Sequence, residues 1–276
     1  IRYIGRIAAR LRKPSDDVPG LEMAGQVEAV GKNVRHFQIG DVVFGWGKGT
    51  LAEYVSVSQD QLALKPVNLT FEQAAVVPMS GVTVLQGLRD KGQIQPGQKV
   101  LIVGASGGVG TFAVQIAKAL GAEVTGVCST PNLDLVRSIG ADHVIDYTQE
   151  DFAQGERRYD LILDMAGNRS LSDCRRALSP EGTLVMVGSS GSTSGHPYLR
   201  AMGRLLAALV VSVFVRQRLR GMLETQSQED LIVLKELIEA GKLTPVISAR
   251  YPLSEAPHAN RHFEEGHARG KVVVTV

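Results

Sequence analysis

The hydrophobic pattern of the chain changes near Pro78. Before that residue, short stretches alternate between apolar and polar positions and are separated by glycine turns, a pattern typical of half-buried strands. It predicts strands over residues 25–30, 41–44 and 51–58. Short strands between glycine turns favour a compact, barrel-like domain.

After Pro78, short apolar runs alternate with longer segments of helical periodicity. The apolar runs predict strands over residues 99–103, 123–128, 143–147, 159–164 and 183–187. The longer segments predict helices over residues 111–120, 133–139 and 171–178. Apolar strands separated by helices are typical of a doubly wound parallel sheet that is covered on both faces. We therefore predict an α/β fold in which a β-rich domain precedes a parallel sheet.

The last part of the chain contains a long apolar run over residues 205–215, bracketed by arginines. A helix needs about 20 apolar residues to span a bilayer, so the run is too short for that. A helix on a membrane surface stays open, but the length favours a buried helix or an oligomer contact. A helix over residues 229–240 and a strand over residues 271–276 follow, and we expect them to fold back onto the first domain. The predicted domains are residues 1–78, 79–222 and 223–276.

The turn that follows the strand at residues 99–103 carries the clearest binding motif. Aligned with GxGxxG, it has alanine at the first position and glycines at positions 107 and 110. A dinucleotide binds its pyrophosphate at such a helix N-terminus, where unpaired N–H groups and the helix dipole meet the negative charge. Gly107 lets the backbone approach the phosphates, and Gly110 lets the helix pack against the strand. The residues expected to bind the cofactor here are Ala105, Ser106, Gly107, Gly108, Val109 and Gly110.

The tip of the second parallel strand predicts which cofactor is bound. An acidic residue at this position binds the ribose 2′-hydroxyl of NAD and repels a 2′-phosphate. This chain has Ser129 and Thr130 instead, whose hydroxyls can donate to phosphate oxygens. NADP(H) is therefore the expected cofactor, although both residues could equally serve only to cap the following helix.

The same glycine turn fits a second motif, because residues 104–108 also spell G-x-S-x-G. That sequence is the nucleophile elbow of α/β-hydrolases. It would make Ser106 a nucleophile, with Asp164 and His258 completing a catalytic triad. The cofactor features downstream have no place in a hydrolase, so this is the weaker hypothesis.

Charge and cysteine content exclude several other functions. The formal net charge is +2, with both signs spread along the chain, whereas a nucleic-acid-binding protein normally has a concentrated basic face. Cys128 and Cys174 are too few for a disulfide framework or a structural zinc site, which indicates a reducing compartment such as the cytoplasm. Because the chain begins with Ile1, we expect an amino-terminal segment to be missing, together with any targeting signal in it.

Two long segments, PGQKVLIVGASGGVGTFAVQIAKALGAEV and GADHVIDY, lie within residues 96–152. They resemble the coenzyme domain of medium-chain dehydrogenases/reductases, in particular the zinc-independent, quinone oxidoreductase-like branch. PGLE at residues 19–22 and GDVV at residues 40–43 resemble the barrel-like catalytic domain of that family, and GKVV at residues 270–273 resembles its closing strand. The resemblance implies a Rossmann domain beside a GroES-like catalytic domain whose first strands lie in the missing segment.

The resemblance also bears on zinc. Zinc-dependent members have Gly-His-Glu where this chain has Gly-Leu-Glu at residues 20–22, and the side chain of Leu21 has no lone pair for a metal. A further ligand of the family falls near Met79 and Ser80, neither of which suits zinc. The cysteine-rich structural zinc loop is absent as well, so we predict that the chain binds no zinc.

A second metal pattern is the pair His258 and His262, which would share one face of a helix. The pair lacks the glutamate of the HExxH motif, and arginines lie close to it in the sequence. These residues therefore predict a solvated helix face rather than a metal site.

The resemblance implies further positions around the cofactor. Thr83 matches a threonine beside the nicotinamide, and Tyr147 matches a tyrosine that contacts the adenosine phosphate in NADPH-specific relatives. Gly167 and Gly188 follow strands at positions where the backbone lines the nicotinamide pocket. The simpler alternatives are a helix surface for Thr83, strand-end packing for Tyr147 and turns for the glycines. A Pro-Asn pair at residues 131–132 stands where a basic residue is usual, which weakens the expected phosphate site.

These features predict hydride transfer from NADPH to a quinone or an α,β-unsaturated carbonyl. Without zinc, the developing enolate has to be stabilised by hydrogen-bond donors, cofactor hydroxyls or water. The sequence assigns no catalytic acid, and a cofactor-binding protein with little catalysis is the rival hypothesis. We also expect a homodimer, because the strand at residues 183–187 is apolar on both faces and is poorly suited to a bare sheet edge.

Overall fold

A computed structural model of the chain describes residues 18–187, 197–264 and 269–276. The strands in these residues are β1 (Glu22–Gln26), β2 (Val42–Trp46), β3 (Leu62–Leu64), β4 (Lys99–Val103), β5 (Glu123–Cys128), β6 (His143–Asp146), β7 (Tyr159–Asp164), β8 (Leu178–Val187), β9 (Arg218–Met222), β10 (Ile247–Pro252) and β11 (Lys271–Thr275). The helices are α1 (Phe71–Ala75), α2 (Pro78–Gln86), α3 (Gly110–Ala119), α4 (Leu133–Ser138), α5 (Leu171–Ala177), α6 (Pro197–Ser212), α7 (Gln228–Glu239) and α8 (Ala256–Glu264).

The first sheet is antiparallel, with β2 between β1 and β3. The strand expected at residues 25–30 lies at Glu22–Gln26 instead, because residues 28–30 are exposed and extend past the end of the ladder. The strand expected at residues 41–44 is confirmed, shifted to Val42–Trp46.

The strand predicted over residues 51–58 is wrong, since the structure describes all of these residues and gives them bends and irregular chain. Both edges of β2 are already paired with β1 and β3, so this segment has no place beside that strand. The alternation of apolar and polar residues is still seen in their burial, because Val55 and Val57 are half-buried while Tyr54 and Ser56 are exposed.

The predicted parallel sheet is confirmed, with the order β6-β5-β4-β7-β8-β9 in the described residues. The chain moves outward from β4 to β6 and then crosses to the other side of β4 to continue with β7. This reversal is the topological switch point at which open α/β sheets bind their ligands, beyond the carboxyl ends of the strands. The glycine turn at residues 104–110 follows β4 directly and so lies at that point.

The sixth strand, β9, was not expected from the sequence. Its RLRGM composition is polar at alternate positions, and only Leu219 and Met222 are buried. It pairs with β8 from Thr183–Arg218 to Val187–Met222. The dimer expected from the sequence supposes that residues 183–187 lie at an edge of the sheet, and this supposition is wrong, because β9 takes that edge.

The predicted helices are confirmed within about two residues as α3, α4, α5 and α7, and the closing strand is confirmed as β11. β11 pairs in parallel with β10. Arg250 on β10 makes an ion pair of 2.7 Å with Glu72 on α1. These contacts bring the end of the chain back to its β-rich beginning.

Helix α2 positions much of the site described below. Pro78 occupies its first turn, where the missing N–H costs no hydrogen bond, and every residue except Met79 is buried. The helix contacts β1 and β2 on one side and α3 and α7 on the other. Ser80 and Thr83 are three residues apart and therefore share a face of this interior helix.

The apolar run at residues 205–215 lies mainly in α6, and its predicted burial is only partly right. Ala208 is buried, and Leu205 packs on Gly221 of β9, where an added Cβ would lie 2.4 Å from Leu205 Cδ2. Large apolar side chains on the opposite side of the helix and directly after its end are 58–82 % exposed, namely Leu206, Leu209, Val210, Val213 and Phe214. The sheet covers one side of the helix, so the oligomer-contact alternative stays open. No helix in the described ranges is long and apolar enough to cross a membrane.

Candidate functional site

The glycine turn is closed against the parallel sheet by backbone contacts. The N–H groups of Gly104 and Ala105 both donate to the carbonyl of Val127 in β5, at 3.2 and 3.0 Å. Gly104 has a φ of +88°, a conformation that favours glycine. A Cβ on Gly110 would lie 2.0 Å from the carbonyl oxygen of Gly104, so only glycine lets α3 begin this close to the turn. A Cβ on Gly107 would meet nothing nearer than 3.5 Å.

The remaining turn residues, Ser106, Gly108 and Val109, complete this path from β4 into α3. Gly108 faces the closing segment of the chain, because an added Cβ would lie 3.0 Å from both the carbonyl oxygen of Gly270 and Cδ of Lys271. Gly107 and Gly270 also form a parallel bridge. The structure therefore brings a lysine from the other end of the chain to the expected pyrophosphate site, which no pattern in the sequence indicates.

Lys271 lies in a partly buried polar cluster beside this turn. Its Nζ is 2.6 Å from Oε1 of Glu22 and 3.1 Å from Oγ of Ser80. The other oxygen of Glu22 accepts the backbone N–H of Met79 at 3.0 Å. The ammonium group of Lys271 thus bonds to both Glu22 and Ser80, two of the positions around which the family's zinc ligands would fall.

Thr83 is 9 % exposed, and its Oγ1 donates to Oε2 of Glu224 at 3.0 Å. Burial raises the pKa of Glu224 to about 7, and the negative charge of Glu22 acts in the same direction. The Thr83 hydroxyl, the Trp46 indole and the charge of Lys271 act the other way and lower the pKa. A substantial fraction of this carboxyl group is therefore protonated at neutral pH. The sequence pattern gives no sign of it, because Glu224 lies in a loop 141 residues from Thr83 without a motif.

The segment around Glu224 is held to α2 by a second pair of bonds. Gln86 Nε2 donates to the carbonyl of Thr225 at 2.7 Å, and the N–H of Thr225 donates back to Gln86 Oε1 at 3.0 Å. Gln86 Nε2 also reaches Oδ2 of the buried Asp230 at 2.8 Å. The position of the loop is thus fixed independently of the Glu224 side chain.

The expected adenosine-phosphate residues meet at the ends of β5 and β6. Ser129 Oγ accepts from Asn132 Nδ2 at 3.0 Å and makes no capping bond in the described residues, so its role as a cap is not supported. Thr130 Oγ1 donates to Oδ2 of Asp146 at 2.5 Å. The phenol ring of Tyr147 is half-exposed beside them.

Asp146 is a carboxylate that the sequence motifs leave out of this region. The hydroxyls of Thr130 and Thr148 donate to it, and these bonds lower its pKa below the ordinary value. Asp146 is therefore anionic. It accepts the hydrogen bond from the Thr130 hydroxyl, which the sequence predicts as a donor to a phosphate oxygen.

Gly167 follows β7 with a φ of +63°, and its N–H donates to Oδ1 of Asp164 at 2.9 Å. The loop lies against the glycine turn, because an added Cβ on Gly104 would be 3.6 Å from Cβ of Ala166. The fully buried carboxylate of Asp164 also pairs with Arg204 of α6 at 2.7 Å. Gly188, the other glycine expected in the pocket, lies outside the described residues.

The hydrolase hypothesis finds no assembled triad. Asp164 is paired with Arg204, and His258 lies on α8 with its side chain 62 % exposed, 4.0 Å from Glu255. No hydrogen bond within the described ranges joins either residue to Ser106. The other histidine of the pair, His262, bonds instead through Nδ1 to the hydroxyl of Tyr251 at 2.8 Å. In the part of the chain that the structure describes, no group of three or more His, Cys, Asp or Glu side chains could hold a metal ion.

Comparisons with known proteins agree with this geometry. Residues 2–67 match the family model for the alcohol dehydrogenase GroES-like domain, and residues 139–274 match the one for zinc-binding dehydrogenase. The mitochondrial NAD(P)H oxidoreductase RTN4IP1 of Mus musculus is 38 % identical over 93 % of this chain and 70 % of its own length. The chloroplastic quinone-oxidoreductase QR1 of Triphysaria versicolor is 33 % identical over 93 % of this chain and 79 % of its own.

Solved structures show the same relationship. The quinone oxidoreductase from Coxiella burnetii superposes with a TM-score of 0.80 at 31 % identity, covering 98 % of this chain and 83 % of that one. The shared fold includes the parallel sheet and the GroES-like part, so the predicted α/β class is confirmed. The chain therefore belongs to the medium-chain dehydrogenase/reductase superfamily, as a member of its quinone oxidoreductase-like branch.

Proposed function

We propose that this oxidoreductase uses NADPH to reduce quinones or α,β-unsaturated carbonyls, without zinc. The observation that carries the proposal is the glycine turn at the switch point of the sheet, where Gly110 brings the start of α3 against Gly104. Relatives named NAD(P)H oxidoreductase, quinone oxidoreductase and alkenal/one oxidoreductase support the reaction class.

The residues at this turn fit a dinucleotide pyrophosphate. Gly107 has room for a ligand to approach its backbone, and α3 is a ten-residue helix whose N-terminal dipole favours negative charge. We assign the pyrophosphate to the turn, with Lys271 supplying a positive charge beside Gly108. The turn residues concerned are Ala105, Ser106, Gly107, Gly108, Val109 and Gly110.

We assign the nicotinamide ring to the region of Thr83 and Gly167, and we keep Gly188 as a residue expected to contact it. Thr83 is the best supported of these, because it lies on the buried face of α2 that also carries Ser80 and its contact to Lys271. When bound there, the reduced nicotinamide supplies the hydride. The protein orients the acceptor, excludes water and stabilises the negative charge that develops on the acceptor oxygen.

We retain the preference for NADP(H), with a narrower set of contacts. Thr130 is bonded to Asp146, so recognition of the 2′-phosphate falls mainly to Ser129 and Tyr147. Ser129 Oγ accepts from Asn132 and keeps its own proton to donate. The phenol of Tyr147 is exposed at the same edge of the sheet and offers a second donor.

Two features support a reaction without zinc. Leu21 stands where zinc-dependent relatives have a histidine, and it offers no electron pair to a metal. Glu22 is bonded to the ammonium group of Lys271 and to the N–H of Met79, so a metal would have to displace an ion pair to reach it. The family model named zinc-binding dehydrogenase matches residues 139–274, so the match does not include Leu21 or Glu22.

We also propose a homodimer, on a different basis from the sequence argument. β9 is one of the two edge strands of the parallel sheet in the described residues, and five large apolar side chains are exposed over residues 206–214, at the end of the adjacent helix α6 and directly after it. Exposed apolar patches rimmed by polar groups commonly mark protein interfaces. The proposed interface therefore combines the β9 edge with this face of α6.

Domain limits and compartment are also carried forward as proposals. We divide the chain at residues 1–78, 79–222 and 223–276, supported by the start of α2 at Pro78 and the end of β9 at Met222. Cys128 and Cys174 are both buried free thiols, which suits a reducing compartment. Relatives with mitochondrial and chloroplastic names extend that proposal from the cytoplasm to the reducing interior of an organelle.

The experiment is a screen of NADPH oxidation over quinones and conjugated enones. Acceptor-dependent oxidation of NADPH supports the proposal. Tight cofactor binding with no turnover across the panel would favour a binding protein with little catalysis.

A further inference from the structure

Glu224 is an acid to which the reduction proposed above assigns no role. It lies two residues after the end of β9, at the carboxyl edge of the same sheet whose β4 end carries the glycine turn. Its carboxyl group faces Thr83 on α2, Trp46 on β2, Glu22 on β1 and Lys271 on β11. Elements from both ends of the chain therefore surround this one acid at the carboxyl edge of the parallel sheet.

This acid has no cation of its own among the described residues. The nearest one, Lys271, is bonded to Glu22 at 2.6 Å and to Ser80, so its charge is already paired. Glu224 Oε2 accepts a hydrogen bond from Thr83. Its other oxygen, Oε1, and the indole Nε1 of Trp46 are both buried; the indole faces the carboxyl group and lowers its pKa, but no group in the described part of the chain closes a full hydrogen bond to either atom. Burial favours the neutral form of a carboxyl group that lacks a paired cation.

A purely structural role accounts poorly for this arrangement. The loop is already anchored by the two bonds between Gln86 and Thr225, which do not involve the Glu224 side chain. Glutamine at position 224 would keep the acceptor for Thr83 and avoid the cost of burying an acid. The acid is instead placed where it can exchange a proton with one hydroxyl.

We propose that Glu224 and Thr83 form the proton-delivery pair of the reduction, with Thr83 touching the acceptor and Glu224 supplying the proton behind it. This inference rests on the proposed function. It adds the source of the proton, which no sequence motif assigns.

For a conjugated enone, the proton and the electron pairs have defined destinations. A bound, reduced nicotinamide would supply the hydride that the β-carbon accepts, and the π electrons of the C=C bond would then move toward the carbonyl to form an enolate. The α-carbon takes the proton of the Thr83 hydroxyl, Thr83 Oγ1 takes the proton of Glu224, and Glu224 becomes a carboxylate. Solvent then returns one proton to Glu224. For a quinone, the hydride reduces one carbonyl group and leaves negative charge on the oxygen of the other. The same pair protonates that second oxygen.

The pH dependence follows from the sign of the shift. Glu224 is the donor only when protonated, and its pKa lies at about 7 because burial and Glu22 raise it. The rate of the chemical step should therefore be full below that pH and decline above it. Loss of a general acid lowers a rate by about 100- to 10,000-fold, and a partial relay through water brings our expectation for E224Q to roughly 10- to 100-fold in kcat.

The test combines three variants with two readouts. E224Q should lose the alkaline decline of kcat together with most of the rate, whereas E229Q, an exposed carboxylate five residues away, should match the parent protein. T83V should resemble E224Q, and T83S, which restores the hydroxyl, should recover most of the rate. The second readout needs no turnover: infrared difference spectra of the protein should show a neutral carboxyl band that titrates near pH 7 and is absent from E224Q.

The possible failures are distinguishable. Parent-like kcat and pH profile in E224Q and T83V, with the parent active, would overturn the proton-delivery pair alone. The pair is equally overturned if the parent shows no neutral carboxyl band that depends on Glu224. A parent protein that reduces no acceptor would overturn the proposed function and this pair with it. If E224Q fails to fold, the contrast between T83V and T83S decides.

Discussion

Gly107→Ala and Gly110→Ala form a matched pair that separates cofactor binding from packing at the glycine turn. Both changes add one methyl group within a span of four residues. At position 110 the added carbon would lie 2.0 Å from the backbone oxygen of Gly104 and 2.7 Å from the carbonyl carbon of Ala105. At position 107 the nearest atom would be 3.5 Å away, an ordinary contact.

The structure sets different magnitudes for the two variants. Backbone atoms cannot rotate aside, so G110A should cost at least about 1–3 kcal/mol, the usual range for overpacking. At about 2–4 °C per kcal/mol, this is a fall in Tm of roughly 2–12 °C. G107A should leave Tm nearly unchanged but weaken NADPH binding at least about tenfold, or 1.4 kcal/mol, because the methyl group keeps the pyrophosphate from the backbone.

The assay pairs thermal unfolding without cofactor with a fluorescence titration of NADPH. Gly203→Ala on α6 is the control, since an added Cβ there meets nothing within 4 Å and alanine is the better helix former. Its Tm should equal or exceed that of the parent. The reasoning is refuted if G107A binds NADPH as tightly as the parent, or if G110A is as stable as the control.

Three further predictions concern cofactor choice, zinc and assembly. NADPH should bind at least several-fold more tightly than NADH, and S129D should reverse that order because a carboxylate repels the 2′-phosphate; equal affinities in both proteins would contradict this. Dialysis against a strong chelator should leave turnover intact, and elemental analysis should find no zinc that tracks activity, since Leu21 cannot bind a metal. Light scattering should give twice the mass of one 29.6 kDa chain. L209E should lower the measured mass toward that of one chain without weakening NADPH binding, because Leu209 is 65 % exposed. An unchanged dimer would exclude this face of α6 as the interface.

The interior of the parallel sheet could be predicted from sequence because burial on both faces leaves apolar runs with little ambiguity. The edge strand β9 could not, since an edge strand needs few buried positions and only Leu219 and Met222 are buried in this one, three residues apart. Residues 51–58 show the reverse case: the alternation is present, but β2 has no free edge to pair with it. Whether a segment pairs as a strand depends on whether a neighbouring strand has an unpaired edge. The local sequence pattern carries no information about that.

The glycine turn could be predicted because all of its parts are adjacent in sequence. The contacts that shape the rest of the site are not: Lys271 meets Glu22 across 249 residues, and Glu224 meets Thr83 across 141. Thr130 shows a related limit, because its hydroxyl was available by composition but is taken by Asp146 in the fold. Whether a polar group is free depends on its tertiary partners.

The central claim is tested most directly by following the hydride itself. NADPH carrying deuterium at both C4 positions should be incubated with the protein and a conjugated enone, and the product analysed by mass spectrometry. We expect a reduced ketone with one deuterium at the β-carbon, formed at the same rate after chelation. NADPH binding with no labelled product from any enone tested, and with no oxidation of NADPH by any quinone tested, would contradict the central claim.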